Sequence, residues 1–400
     1  MQLGNVTTTS TGSNSFGVQI SGSAAATGMT LTAGTIDAAY GGISAGSYAG
    51  FGTVSITTTG DVIGRSQTAI DANITRAGSS LNLDIGGNVS SATHTGIRAF
   101  LSGSSNSGNG TMTINVAGTV SGQATGIYAD ARGGSTLTLS AAGASGGTSD
   151  GIRAFGGSGT ASITVTGLVQ GAADNAGVNY MHSGSGTSTL SLASVQGGNY
   201  GAYLFGSGTG ATVLSASGSI TAASANSTAV GTSMTGNAGA LDISVTSLSA
   251  TLYGAYLGND GRGATSFTAT GPVTVSGANS TGVLVNQGQM PGRSTSISPP
   301  CRVLSTASIS ITAAPEPSGS MRPVRLLPLP QGPPGSGLFS GLPPPARTSI
   351  LARSVPRATA SISPTTVRAR PGSPVLEQFQ PLDQPLTVFS ITEPPMLSLM

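Results

Sequence analysis

A short phrase recurs along the first part of the chain and sets a period. TGIRAF at 95–100 returns as DGIRAF at 150–155, with TGIY between them at 125–128. A small residue followed by Ile, Val or Tyr, which we call the anchor, recurs every 25 to 30 residues at Gly17, Gly42, Ala69, Gly96, Gly126, Gly151, Gly177, Ala202, Ala229, Ala255 and Gly282. A unit this short cannot bury its own inner face, so the period predicts a stack of similar units.

Each unit carries the pattern of short β-strands. Twelve residues after most anchors an alternating apolar pair begins, as at Val54 and Ile56. Period-two alternation places apolar side chains on one face of a strand and Thr or Ser on the other. A unit thus contains an anchor strand, a Gly/Ser turn, an alternating strand and often a third short strand. We predict an all-β parallel β-helix solenoid of about ten coils, each pairing with the next.

The period ends near residue 290, where the composition changes. Of the 22 prolines only Pro272 precedes residue 291, whereas only 7 of the 62 glycines follow residue 290. The apolar pair expected after Gly282 would fall at Ser294 and Ser296. Because proline cannot donate a hydrogen bond in a central strand, we predict a tail without regular structure. The predicted domains are an N-terminal edge at 1–15, a β-helix repeat domain at 16–290 and a Pro/Arg/Ser-rich tail at 291–400.

Two explanations of the tail stay open. One is a natural Pro-rich linker or disordered tail. The other is translation from a shifted reading frame. The chain has 15 Arg and no Lys, which suggests a GC-rich gene. In such a gene, Gly and Ala codons read one base later become codons for Ala, Arg and Pro, and this is the composition change observed.

Charge and cysteine content exclude several classes of partner. The net charge of +2 is too small to indicate binding of nucleic acid or an anionic membrane. The single cysteine, Cys301, excludes an intramolecular disulfide and a cysteine-based metal cluster. No apolar run is long enough for a membrane-spanning helix. We therefore expect no nucleic-acid partner, no membrane-spanning segment and no cofactor.

Two long phrases carry a resemblance to a known family. DGIRAFGGSGTASITVTGLVQG (150–171) and GAYLFGSGTGATVLSASGSITA (201–222) resemble the Gly/Ser/Thr-rich passenger regions of bacterial autotransporters, the surface proteins of type V secretion. The resemblance covers about residues 16–290 and implies a right-handed parallel β-helix outside the outer membrane, at the cell surface. The family also carries an export signal and a C-terminal membrane barrel. We find neither pattern here and expect a truncated passenger.

The resemblance implies a structural or adhesive role, with a protein or glycan of a host or neighbouring cell surface as partner. The alternative is a carbohydrate-active β-helix enzyme, a lyase or hydrolase, which needs carboxylates gathered on adjacent coils. The aspartates share no offset from the anchors, so we interpret each as isolated and solvated. His94 and His182 are predicted to lie on the surface or in turns. We expect no enzyme and no catalytic, cofactor-binding or metal site. The aspartates are Asp37, Asp61, Asp71, Asp84, Asp130, Asp150, Asp174, Asp242 and Asp260.

Two groups of residues are candidates for partner contact. Each arginine of the first group lies two residues after an anchor, which predicts one column two coils apart, either a solvated face or a basic stripe that contacts a ligand. The tyrosines lie two residues before and one after the anchors Ala202 and Ala255. They are predicted either to stack at one corner or to form an aromatic contact surface for a glycan or protein. The candidates are Arg98, Arg153, Tyr200, Tyr203, Tyr253 and Tyr256.

Overall fold

Alternating apolar and hydroxyl-bearing residues form strands throughout the described part of the chain. The computed structural model describes residues 1–13, 15–22, 28–47, 52–75, 78–101 and 109–287, and the backbone of 295–298, 303–304, 308–313, 325–326, 353–354 and 386–387. These residues form strands and turns. No helix among them is long and apolar enough to cross a membrane.

The strands of the described residues follow one another in chain order. They are β1 (Val6–Thr8), β2 (Phe16–Gly22), β3 (Gly28–Ala33), β4 (Ile36–Ala38), β5 (Gly41–Ser47), β6 (Thr53–Thr58), β7 (Val62–Gly64), β8 (Ile70–Ile74), β9 (Ser80–Ile85), β10 (Val89–Ser91), β11 (Ile97–Leu101), β12 (Thr111–Gly122), β13 (Ile127–Ala131), β14 (Thr136–Gly146), β15 (Ile152–Gly156), β16 (Ala161–Gln170), β17 (Ala176–His182), β18 (Ser188–Gly197), β19 (Tyr200–Gly206), β20 (Thr212–Ala222), β21 (Thr228–Met234), β22 (Leu241–Ala250), β23 (Tyr253–Asn259), β24 (Thr265–Ala269), β25 (Val273–Val275), β26 (Thr281–Gln287), β27 (Thr295–Ser298), β28 (Val303–Leu304), β29 (Ser308–Ala313), β30 (Arg325–Leu326), β31 (Arg353–Ser354) and β32 (Leu386–Thr387).

Two long parallel sheets form the walls of the solenoid. The anchor strands make a 12-stranded sheet, the anchor sheet, of β2, β5, β8, β11, β13, β15, β17, β19, β21, β23, β26 and β29. The strands between them make an 18-stranded sheet, the ladder sheet, which runs from β1 to β30. The chain alternates between the two sheets, and each strand pairs with its equivalent one coil away. The predicted all-β parallel solenoid of about ten coils is confirmed; its right-handedness stays a prediction.

Pairing in the anchor sheet fixes the register of the repeat. Ile43, Ile70, Ile97, Ile127 and Ile152 lie side by side in one buried column. Each isoleucine of the column lies one coil from the next, as the period predicts.

The predicted anchors at Ala202 and Ala255 are wrong by one residue. Val178 pairs with Ala202, and Val230 pairs with Ala255, so these alanines belong to the isoleucine column. Gly201 and Gly254 therefore occupy the anchor positions. Both phrases read GAY, and two adjacent small residues leave the register undetermined until the strands are paired.

In the central coils, the predicted second and third strands are two halves of one long strand. The pairing of β12 with β14 shifts register between Val116 and Thr119, and equivalent shifts follow through β22. Such a bulge bends a strand without ending it. In β16 a glycine lies at the bend, where the backbones approach closely: a Cβ on Gly167 would lie 2.3 Å from the carbonyl oxygen of Ala142.

The core is a set of apolar columns between the two sheets. The alternating pairs predicted from the anchors point inward, and Val54, Ile56, Ile163 and Val165 are each at most 2% exposed. Pairing stacks these side chains on those of adjacent coils. Because each coil covers the inner face of its neighbour, the stack supplies the burial that a single unit lacks.

Beyond Gln287 the structure describes short backbone segments. The strand β27 pairs in parallel with β24, β28 with β25, and β29 with β26, so both sheets continue past residue 290. The last two strands, β31 and β32, pair antiparallel. The rest of 291–400 and Cys301 lie outside the described residues, and the interpretations of this tail stay predictions.

Candidate functional site

The two outer walls of the solenoid differ in chemistry. On the ladder sheet, outward rows consist mostly of Thr, Ser and Asn, one residue per coil. Side chains bond along these rows: Asn115 Nδ2 donates to Asp84 Oδ1 at 2.8 Å, and Ser140 Oγ donates to Asn115 Oδ1 at 2.7 Å. We call this surface the hydroxyl wall.

The outer face of the anchor sheet instead carries aromatic and arginine side chains, and we call it the aromatic–arginine wall. One row on this face consists of the residues that directly follow the isoleucine column, one from each coil. In chain order they are Gln19, Ser44, Asp71, Arg98, Tyr128, Arg153, Asn179, Tyr203, Gly231, Tyr256 and Leu284. The predicted shared column of Arg98 and Arg153 is present, with Tyr128 between them. All six candidate contact residues lie on this wall.

Three aromatic rings pack against one another in tilted pairs along the first half of this wall. The ring centroids of Phe100 and Tyr128 lie 5.1 Å apart, and those of Tyr128 and Phe155 lie 5.6 Å apart. Guanidinium groups cover the outer two: Arg98 lies 5.5 Å from the Phe100 centroid, and Arg153 lies 5.6 Å from that of Phe155. Cation–π contacts of this kind stabilise both partners. We call these residues, with Asp71, Asp130 and Arg132, the arginine cluster.

Ion pairs hold two arginines of this cluster in place. Arg98 binds Asp71 in a bidentate pair, with Nε–Oδ1 at 2.9 Å and Nη2–Oδ2 at 2.7 Å. Arg132 binds Asp130 through both carboxylate oxygens, and the Asp130 side chain has no exposed surface. The prediction of isolated, solvated aspartates is therefore wrong for both acids. It is also wrong for Asp37, which accepts two hydrogen bonds from Arg65 of the next coil. Their partners lie in the neighbouring coil or two residues along the chain, which offsets from the anchors alone do not reveal.

Arg153 has a different environment from the other two arginines. No carboxylate lies within ion-pair distance of it among the described residues, and its Nε is buried without a hydrogen-bond partner, as is the neighbouring Asn179 Oδ1. Asp150, close by, is 4% exposed and accepts from Ala176 N at 2.9 Å and Asn179 Nδ2 at 3.2 Å. Burial raises the pKa of Asp150, opposed by these hydrogen bonds and by Arg153. Asp150 also departs from the predicted solvated aspartates, because its carboxylate is buried and accepts hydrogen bonds from the next coil.

The four candidate tyrosines lie together in the second half of the wall, and we call them the tyrosine patch. Tyr200 and Tyr253 share one column with Thr228 between them, and Tyr203 and Tyr256 share the next with Gly231 between them. Ring centroids lie 4.9 Å apart in the pair Tyr200–Tyr203. They lie 5.5 Å apart in Tyr253–Tyr256. The predicted packing at one corner, two coils apart, is what the register shows.

A glycine forms the floor of the tyrosine patch. A Cβ on Gly231 would lie 2.7 Å from Cε1 of Tyr200 and 3.4 Å from Cδ2 of Tyr203, so these rings fill the space beside the glycine, which is buried. Burial raises the pKa of Tyr200, and the nearby Tyr203 and Tyr256 raise it further. Sequence reasoning did not identify Gly231, because its role depends on the register of β21.

The tyrosine patch is open and uncharged. Tyr200 is 36% exposed, and the other three side chains are partly buried. Within the part of the chain that the structure describes, none of the four phenol hydroxyls has a hydrogen-bond partner, unlike buried Tyr180, whose hydroxyl lies 2.7 Å from Ser188 Oγ. The strands β17, β19, β21, β23 and β26 contain no Asp, Glu, Lys or Arg.

The prediction that His182 lies on the surface is wrong. His182 ends β17, points inward and is 1% exposed; His94 is exposed, as predicted. His182 lies in an inward column between Gly156 and Gly206, which leave room for the imidazole. The His182 ring stacks on Tyr180. Burial lowers the pKa of His182, opposed by the nearby backbone of Gly184, although no contact of its ring nitrogens has hydrogen-bond geometry.

The described residues bring no group of three His, Cys, Asp or Glu side chains together around a metal-sized space. One open depression of about 430 Å³ is lined by Thr209, Asn237, Ala238, Gly239, Arg262 and Gly263. Arg262 is the one ionisable side chain in this lining.

The geometry defines the class of protein: a parallel β-solenoid with one hydroxyl wall and one aromatic–arginine wall. No family model, curated protein or solved structure matches the chain. Any narrower assignment depends on the residues themselves.

Proposed function

We propose that this chain is the structural and adhesive passenger fragment of a bacterial autotransporter, displayed at the cell surface. It acts by presenting an extended solenoid wall to a protein or glycan of a host or neighbouring cell, and it performs no catalysis. The observation that carries the proposal is the tyrosine patch, a cluster of partly exposed rings held on a rigid wall.

The scaffold suits a role in contact. Every described strand of the anchor sheet is hydrogen-bonded in parallel to its neighbours, so side chains on the wall keep fixed positions one coil apart. Aromatic residues give large contact area at low entropic cost when their backbone is fixed. Exposed aromatic clusters on otherwise polar surfaces mark sites of interaction.

The proposed role makes two demands that can be measured on the full chain. Intact cells of the source bacterium, treated with a protease, should lose the signal of an antibody raised against residues 109–287, while a cytoplasmic marker remains. Beads coated with the full chain should adhere to host or neighbouring cells more than beads coated with an unrelated protein.

Either measurement can contradict the proposal. An antibody signal that disappears only after lysis would place the protein inside the cell. Beads that adhere no better than the control would remove the adhesive role. Release of reducing sugars or unsaturated uronides from polysaccharide by the purified chain would favour the enzymatic alternative.

A further inference from the structure

We propose that the tyrosine patch binds an uncharged glycan, a chain of neutral pyranoses that lies along the solenoid axis across β19, β21 and β23. This inference deepens the proposed adhesive function, on which it rests, by naming the class of ligand and its site. It follows from ring accessibility, hydrogen-bonding capacity, charge and spacing.

The ring faces of the tyrosine patch are available, whereas those of the arginine cluster are not. In the arginine cluster, Arg98 covers Phe100, and Arg132 and Arg153 both lie within 5.6 Å of the Phe155 centroid. No guanidinium group covers a ring of the tyrosine patch in the described residues. A pyranose presents C–H bonds on one face, and these pack against an open aromatic ring as other apolar groups do.

The phenol hydroxyls supply the complementary polar contacts. Each is both a donor and an acceptor and none has a partner among the described residues. A sugar combines apolar ring faces with many hydroxyls of the same dual character. The patch therefore offers both kinds of contact that a sugar requires, on side chains whose rings are already held in pairs.

The charge distribution distinguishes a neutral from an acidic glycan. The five anchor strands from β17 to β26 carry no charged side chain. The nearest arginine in the same row, Arg153, is two coils from Tyr203, with Asn179 between them. Two coils correspond to about 10 Å. A carboxylated or sulfated sugar on the patch would lose hydration without gaining a cationic partner.

The spacing suits an extended chain rather than a single sugar. Tyr203 and Tyr256 are two coils apart, and Gly231 leaves the intervening position without a side chain. Because Gly231 is buried beneath the rings of the first pair, a saccharide chain can pass from one ring pair to the second over the rings, with no side chain rising between them. A substituent at Gly231 would displace the Tyr200 ring and interrupt this path.

Tyrosine fluorescence gives a direct measurement, because the chain has 8 Tyr and no Trp. The full chain is titrated with cellohexaose, maltohexaose, laminarihexaose and mannohexaose as neutral probes, and with hexagalacturonate as the acidic probe. The variants are Y203A/Y256A, the same pair changed to Phe, and G231A. The matched control is Y40A, which removes a tyrosine that pairs with Phe16 at 5.6 Å far from the patch.

We expect at least one neutral hexasaccharide to change the emission saturably and hexagalacturonate to have no effect. Affinity should fall at least about tenfold in Y203A/Y256A, fall less in the Phe variant, fall in G231A and stay unchanged in Y40A. Retention of the thermal unfolding midpoint in each variant shows that the solenoid is folded.

Three results would overturn the inference: no neutral probe binds at about 10 mM, hexagalacturonate binds instead, or Y203A/Y256A binds as wild type does. The bead assay shows whether a negative result concerns the glycan site alone or the adhesive role as well. Beads that still adhere after the target cells are treated with periodate, but not after trypsin, indicate a protein partner for an adhesive chain. Saturable sugar binding without bead adherence retains the glycan site and removes adhesion.

Discussion

At the scale of single residues, the buried carboxylate of Asp130 depends on one arginine. Arg132 makes all three hydrogen bonds that the structure gives Asp130. R132A should lower the free energy of unfolding by about 2–4 kcal/mol, because it leaves a buried charged acceptor unpaired. Urea unfolding of R132A and of the double variant D130L/R132A tests this. Recovery of most of the loss in the double variant is expected, and equal loss in both would contradict the explanation.

His182 should make stability depend on pH. Because burial lowers its pKa in the folded chain, the unfolded chain binds a proton first as the pH falls below about 6.5. The free energy of unfolding should then decrease from pH 7 to pH 5.5 by up to about 1 kcal/mol relative to H182M. Above pH 7 both forms are neutral and the histidine contributes no pH dependence.

The variant H182M is suited to this comparison because Met234 occupies the same inward column two coils further on. Asp150, which titrates with the opposite sign, is present in both chains and cancels in the difference. A pH profile of H182M parallel to that of wild type would show that the buried imidazole is not responsible.

At the scale of elements, the turns between the two sheets stack glycine on glycine. Gly159, Gly186, Gly210, Gly239 and Gly263 follow one another in consecutive coils. A Cβ on Gly186 would lie 2.2 Å from the carbonyl oxygen of Gly159 and 2.7 Å from Thr160 N, both backbone atoms. These close backbone contacts explain why the turns consist mainly of Gly and Ser.

G186A should therefore lower stability by roughly 1–3 kcal/mol, since the backbone of two coils must move apart. The measurement is the denaturation midpoint, with G4A as control, because a Cβ on Gly4 would meet nothing within 4 Å. Equal midpoints for the two variants would show that the turns are not closely stacked.

Much of the element structure could be predicted from the sequence. The period and the alternation of pairs such as Val54 and Ile56 specify strands, inward faces and coil number, because these patterns are local. The exact register at GAY, the merging of strands at bends such as Gly167, and the pairing of Asp71 with Arg98 depend on contacts between coils. The tyrosine patch was predictable as a group of four, whereas its glycine floor required the register.

At the scale of the whole molecule, a solenoid should be most stable in its centre. Each coil contacts only its neighbours, so a central coil has two stabilising interfaces and an end coil has one. In hydrogen–deuterium exchange, amides of β14 to β20 should exchange most slowly and those of β2 and β29, the end strands of the anchor sheet, faster. Uniform protection along the described coils, or fastest exchange in the centre, would contradict a stack of nearest-neighbour units.

The central claim is that the chain adheres through the aromatic–arginine wall and not through the hydroxyl wall. The most direct measurement compares the adherence of beads coated with wild type, with Y203A/Y256A, and with T138A/T164A, whose outward threonines lie in the ladder strands β14 and β16. The account predicts that adherence is lost in the tyrosine variant and retained in the threonine variant. Loss with the threonine variant and retention with the tyrosine variant would contradict it.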